Sequence, residues 1–276
     1  MNLKTVAVVF GFLAPLSAGT VSAADLHPIV EVQNGYLFGA TKDGKWIKAD
    51  EAAKALPDET TYRIYALTDS LGKTKGANAK PEDLPCEETL FVALSGKPEK
   101  GLIAIAAPWD ALPRKPRVAD TTQQIYIDAV RDFLKTKGIE QPKVKIESIL
   151  RVDLDGDGEE EVLISATNYF SKDNHVPMRS PAGSYSMVLL RRVVAGKVET
   201  QLVEGEFYPK AYPAPTEDDA SFNAPNAYKV VGTFDLDGDG KLEIVVHSQY
   251  YEGEMTTIYQ CDPKKAEAVL SVGCGA

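Results

Sequence analysis

DLDGDGEEE at residues 153–161 and DLDGDGKLE at residues 235–243 decide how this chain reads. Each places Asp at loop positions 1, 3 and 5, Gly at position 6 and Glu at position 9. Three carboxylates at alternate positions converge on one point only if the backbone curls tightly, and the glycine permits that turn. The candidate ligands of the first loop are Asp153, Asp155 and Asp157, the backbone carbonyl of Glu159, and Glu161. Those of the second are Asp235, Asp237 and Asp239, the carbonyl of Lys241, and Glu243. A shell made only of oxygen, large and irregular, suits calcium, whereas magnesium demands a stricter octahedron and keeps its waters. Two Ca2+ sites are expected, with the ions structural.

The flanks tell which scaffold carries these loops. An EF-hand needs a bidentate Glu at position 12, where this chain has Ile164 and Val246. It also needs helices, but EVLISA and LEIVVHS are apolar and β-branched and read as strands. Working outward, the chain repeats itself beyond Pro142. The first copy runs KIESILRV, DLDGDG, EEEVLISATNY, a long segment near 170–183, SYSMVLLRRV, AG, KVETQLVEGEF. The second runs YKVVGTF, DLDGDG, KLEIVVHSQYY, EGE, MTTIYQC, DPKK, AEAVLSVG. Each copy is strand, acidic loop, strand, turn, strand, turn, strand, over about 143–207 and 227–273.

The N-terminal half is mixed. Apolar and β-branched runs at 35–40, 62–67, 90–94 and 102–106 read as strands, 50–56 as a short helix stopped by Pro57, and 71–85 as a loop of Lys, Gly, Pro and Asn. Residues 107–117, with Pro108, Pro113 and Pro116, read as a linker closing a small α+β domain at 24–118. A helix capped by Asp120 or Thr121 then runs to about Lys137, with Ile125, Ala129, Val130, Phe133 and Leu134 on one face and Gly138 as its stop.

Residues 1–23 read as a secretory signal peptide: Lys4, an apolar run from Val6 to Leu16, then small residues before cleavage. That run is too short to span a bilayer, which needs roughly 20 residues. A secreted or periplasmic protein with no membrane insertion after cleavage follows. The formal charge of −10 argues against nucleic acid or anionic lipid as partner. In an oxidising compartment Cys86, Cys261 and Cys274 make one disulfide and one free thiol. A final hairpin centred near Lys265 and Ala266 would set Cys261 opposite a residue near Leu270, too far from Cys274, which favours Cys86 with Cys274.

The loops resemble the calcium-binding hairpin loops of FG-GAP repeats, the blade units of integrin alpha-subunit β-propellers that also occur in bacterial secreted repeat proteins. The resemblance covers residues 143–276 and rests on the loop and strand plan, since the Phe-Gly and Gly-Ala-Pro signatures are not evident. It implies a mainly β fold with minor α, and two copies are too few to close a propeller of four or more blades: either the N-terminal half supplies degenerate blades or, the reading favoured, the two repeats form a partial, open propeller-like unit against the helix at 121–137, with the small α+β domain preceding it. It also implies that calcium fixes hairpin geometry while neighbouring loops bind ligand.

No catalytic motif is present. His27, His175 and His247 are few and scattered, and GATKDGKW at 39–46 has Trp46 where a phosphate loop needs Ser or Thr, so Asp43-Gly44 reads as a hairpin turn. Tyr250, Tyr251 and Glu252, with Tyr169, Phe170 and the segment to Tyr185, are candidates for a carbohydrate- or protein-binding surface. The chain therefore reads as a calcium-braced module binding an extracellular protein or glycan rather than as an enzyme. The competing readings are a secreted hydrolase on a calcium-stabilised β scaffold and a purely structural envelope component. Oligomeric state is not set by the sequence.

Overall fold

The computed structural model describes residues 26–169, 176–213, 224–262 and 264–275. The expected signal peptide, Phe170 and His175 lie outside them. The chain is mainly β with two helices. In the N-terminal half run β1 (His27–Glu31), β2 (Leu37–Lys42), β3 (Lys45–Lys48), α1 (Ala49–Ala55), β4 (Glu59–Tyr65), β5 (Ser70–Ala77), β6 (Lys80–Pro81), β7 (Leu90–Phe91) and β8 (Ile103–Ile105). Five of these strands join β8 in a six-stranded sheet ordered β3-β2-β1-β8-β4-β5, while β6 and β7 pair separately. Asp43 and Gly44 both have positive φ (51° and 68°) between the paired Lys42 and Lys45, so GATKDGKW is a hairpin turn.

The expected loop at 71–85 is in part a strand. Five of the eight β5 residues are exposed, and β5 is the sheet's edge. An edge strand tolerates Lys and Gly because one face and one hydrogen-bonding side meet water. Residues 107–117 are packed: Ala111 and Leu112 are buried in a cluster with Ile29, Phe38 and Tyr65 of the first sheet and Phe234, Val245 and Leu270 of the C-terminal repeat.

Next come β9 (Arg117–Ala119) and α2 (Gln124–Thr136). Asp120 does not cap the helix; it accepts from the amide and hydroxyl of Thr122 in the preceding turn. Gly138 at φ 81° ends it, with Gly138 N donating to Lys135 O and Ile139 N to Leu134 O, which closes the last carbonyls. The buried stripe is Tyr126, Val130 and Leu134, whereas Ile125, expected on that face, is 61% exposed.

The repeats match the expected plan. The first gives β10 (Ile146–Val152), β11 (Glu161–Thr167), β12 (Ser184–Val194) and β13 (Lys197–Tyr208), and β9 adds to its edge to make the order β13-β12-β11-β10-β9. The second gives β14 (Ala227–Phe234), β15 (Glu243–Tyr250), β16 (Gly253–Cys261) and β17 (Ala266–Gly275), an antiparallel meander. Cys261 pairs with Ala266 rather than with a residue near Leu270, so the last hairpin turns earlier than its sequence suggests.

The sheets stack face to face. Strand alternation sends Val188, Leu190 and Leu163 of the five-stranded sheet toward Ile244 and Val246 of the four-stranded one, and sends Ile164, Ala166 and Leu189 toward α2. The four-stranded sheet turns Val245, Ile258 and Leu270 toward the N-terminal sheet. It is thus covered on both faces, which its sequence reflects in the near-continuous burial of EIVV at the start of β15. Its edge strand β14 is also covered: the amides of Tyr228 and Val230 donate to Ser186 Oγ (2.8 Å) and Ser165 Oγ (3.0 Å) of the neighbouring sheet. Cys86 and Cys274 form a disulfide with Cα atoms 5.5 Å apart, tying β17 to the N-terminal half and leaving Cys261 free.

Candidate metal centre

Each DLDGDG segment links two antiparallel strands, β10 to β11 and β14 to β15. Glycines at positions 4 and 6 take positive φ in both loops: 83° and 92° at Gly156 and Gly158, 80° and 84° at Gly238 and Gly240. Only glycine adopts this without a steric penalty, and two such residues curl the chain over the Asp side chain at position 1.

The hydrogen bonds repeat from loop to loop. Asp153 Oδ1 and Oδ2 accept from the amides of Gly156 (2.6 Å) and Gly158 (3.1 Å), and Asp235 accepts from Gly238 (2.8 Å) and Gly240 (3.2 Å). The position 9 carboxylate closes each loop onto its second residue: Leu154 N donates to Glu161 Oε2 and Leu236 N to Glu243 Oε2, both at 2.8 Å. Asp157 and Asp239 accept from the amides of Glu159 (2.8 Å) and Lys241 (2.7 Å).

In the first loop one oxygen each of Asp153, Asp155 and Glu161 lie within 4.8 Å of one another; in the second, Asp235, Asp237 and Asp239 do. Both groups can hold a metal ion. Asp157 and Glu243 stand outside these groups, although their counterparts Asp239 and Glu161 stand inside. Glu159 and Lys241 are exposed, and their amides, through Asp157 and Asp239, keep them within the loop.

Glu161 and Glu243 are 6% and 2% exposed. Each uses Oε2 for an amide, and both residues line the cavity between the loops. A carboxylate this buried is costly to ionise unless a charge or donor meets it. Burial, and then the nearby Asp237, push the Glu243 carboxyl up to about 9. Burial likewise raises Glu161, Asp235 and Asp237 above the usual carboxylate range. All-oxygen donors around an under-neutralised carboxylate fit a hard divalent cation.

Several contributing residues carry no signal in the local sequence. Trp109 Nε1 donates to Asp235 O at 2.8 Å, Asp235 N donates to Ala111 O at 2.9 Å, and Thr41 Oγ1 donates to Leu236 O at 3.1 Å. Gln260 Nε2 donates to Asp237 Oδ2 at 2.9 Å. Arg117 grips Glu160 through Nε and Nη2 at 2.9 and 2.6 Å, and Arg151 adds a third bond, holding the start of β11. Between the loops lies a cavity of about 240 Å³, lined by Asp155, Glu161, Arg192, Asp239, Glu243 and Cys261 among others.

The expected aromatic surface is only partly there. Tyr169 and Tyr185 are buried, and the Tyr185 hydroxyl donates to Lys143 O. Tyr250 lines a groove of about 330 Å³ with Tyr228, Tyr259, Met255, Glu204 and Asn226. Tyr251 is exposed beside it. His27 packs edge-on against Trp109, with ring centroids 4.6 Å apart. His247 faces Thr256 and Glu254 across the sheet, and burial lowers its affinity for a proton.

No protein-family model matches the chain, and neither curated proteins nor solved structures yield a match.

Proposed function

We propose that this is an exported calcium-binding protein whose two repeats, of FG-GAP type, form an open propeller-like unit. Each DLDGDG loop holds one structural Ca2+, and the braced surface binds an extracellular protein or glycan. The observation that carries the reading is the repeated loop geometry: five matching amide-to-carboxylate bonds and three clustered carboxylates at each of two equivalent hairpins. Calcium suits the site better than magnesium because mixed carboxylate and carbonyl donors from a nine-residue loop do not form a regular octahedron. The disulfide is compatible with the exported location.

The partner surface that best fits is the groove of Tyr228, Tyr250 and Tyr259. There Tyr250 stands with Glu204, Asn226, Ser248 and Thr257, over the inner Tyr228 and Tyr259, a mix of apolar and hydrogen-bonding groups suited to a sugar or an extended peptide.

Calorimetric titration of chelator-treated mature protein tests the ion. Two Ca2+ per chain are expected, one lost with Asp155→Ala and the other with Asp237→Ala. No heat at millimolar calcium would overturn the reading. A glycan and protein array probed in calcium and in chelator then tests the partner. A hydrolase would instead show turnover on generic ester, glycoside or phosphate substrates.

A further inference from the structure

The two acidic loops share a joint. Arg114 donates from Nε to Asp153 O at 2.6 Å and from Nη2 to Leu154 O at 3.2 Å and to Gly240 O at 2.7 Å. One guanidinium thus holds positions 1 and 2 of the first loop and position 6 of the second. A backbone bond runs alongside, from Leu242 N to Leu154 O at 2.8 Å. The segment that supplies Arg114 also supplies Trp109, whose indole bonds Asp235 O. The position 1 carbonyl of each loop is therefore held by a side chain from residues 109–114.

We propose that the two loops are one coupled cation-binding unit and that Arg114 is the positioning residue that joins them. The inference rests on the calcium reading above. A cation in either loop fixes that loop's backbone, and with it the guanidinium and the Leu154–Leu242 bond. The other loop then binds to a frame already ordered, so the ordering cost of the shared joint falls on the first ion alone. The opposing effect is repulsion between two bound cations. It acts through a partly exposed site and is screened by salt, whereas the hydrogen-bonded joint is not. Arg suits the role because its planar fork reaches three carbonyls at once, which a Lys ammonium on a flexible stem does not.

The test is a calorimetric cycle in 0.3 M KCl, where screening acts over about 5–6 Å. In wild-type background, Asp155→Ala should weaken calcium binding at the remaining loop by at least about fivefold, in the range of ordinary allosteric coupling. Asp237→Ala should weaken the first loop by the same factor, because coupling is reciprocal. In an Arg114→Lys background, each loop should keep its site but lose this dependence, to within twofold. If each single-loop variant binds one ion with the wild-type affinity, the coupling is absent while the calcium sites stand. If the cross-effect survives Arg114→Lys, Arg114 is not the joint. If the wild-type protein takes up no calcium, the sites themselves are absent and the coupling falls with them. The comparison of Asp155→Ala with Asp237→Ala uses no Arg114 variant, so it decides on coupling even if Arg114→Lys fails to fold.

Discussion

The amide of Leu242 donates to the carbonyl of Leu154 at 2.8 Å, joining position 8 of the second acidic loop to position 2 of the first. Both side chains are buried in the core between the two repeat sheets. The loops therefore stand at one end of a packed interface, and what stabilises them stabilises the stacking of the sheets.

Calcium should raise the stability of the whole chain. With a Kd of roughly 0.1 mM and calcium near 1 mM, each site contributes about 1.4 kcal/mol. For a chain of this size two sites shift the melting temperature by roughly 6–11 °C. Calorimetric melts in calcium and in chelator check this; coincident melts would contradict it.

Gly238 and Gly240 should not respond alike to a methyl group. Both have positive φ, 80° and 84°, so alanine at either costs about 1–2 kcal/mol in backbone strain. A Cβ on Gly238 would also meet the Trp109 ring at 3.2 Å, while none of the surroundings of Gly240 lies within 4 Å. Trp109 cannot withdraw without losing its bond to Asp235 O. Gly238→Ala is expected to lower stability by at least about 1 kcal/mol more than Gly240→Ala. Equal losses in denaturant melts would show that Trp109 gives way freely.

The cysteines should behave in two ways. Reducing Cys86–Cys274, which spans 188 residues, should cost about 2–5 kcal/mol. Burial pushes the Cys261 thiol up to about 12, against the pull of Arg192. A thiol reacts as thiolate, so native Cys261 should alkylate slowly, at a rate rising with each pH step between 7 and 10. A plateau near pH 9 would indicate an ordinary exposed thiol.

On α2, Leu134→Ala should cost about 2–5 kcal/mol, because Leu134 is fully buried against the first repeat's sheet. Ile125→Ala should lie within about 0.5 kcal/mol of wild type, since Ile125 is 61% exposed. Chemical denaturation of the two variants checks that Leu134 lies on the buried face and that Ile125 lies off it.

The expected stripe holds at Val130 and Leu134, with Phe133 packed beside them, and fails at Ile125, whose place in the core Tyr126 takes. Neighbouring positions at the first turn match a helical period almost equally well, and only the direction from which the sheet approaches α2 chooses between them. Strand β5 was illegible for a related reason: as an exposed edge it lacks the apolar alternation that marks a half-buried strand.

What the sequence determined by itself is what closes locally. The loop amides of residues 154–159 and 236–241 reach carboxylates at most seven residues away, and the alternation of 162–166 and 244–246 sets which side chains face each core. The loops, the four-strand plan of each repeat and the six carboxylates that cluster in them were legible for that reason. Tertiary structure alone decided that the two loops lie side by side, that Arg114 spans them, and that Trp109 and Thr41 brace the second, from 126 and 195 residues away. Such contacts have no spacing rule, because they arise from how three sheets stack, and that stacking is fixed by the summed burial of both faces of the last repeat rather than by any short run of residues.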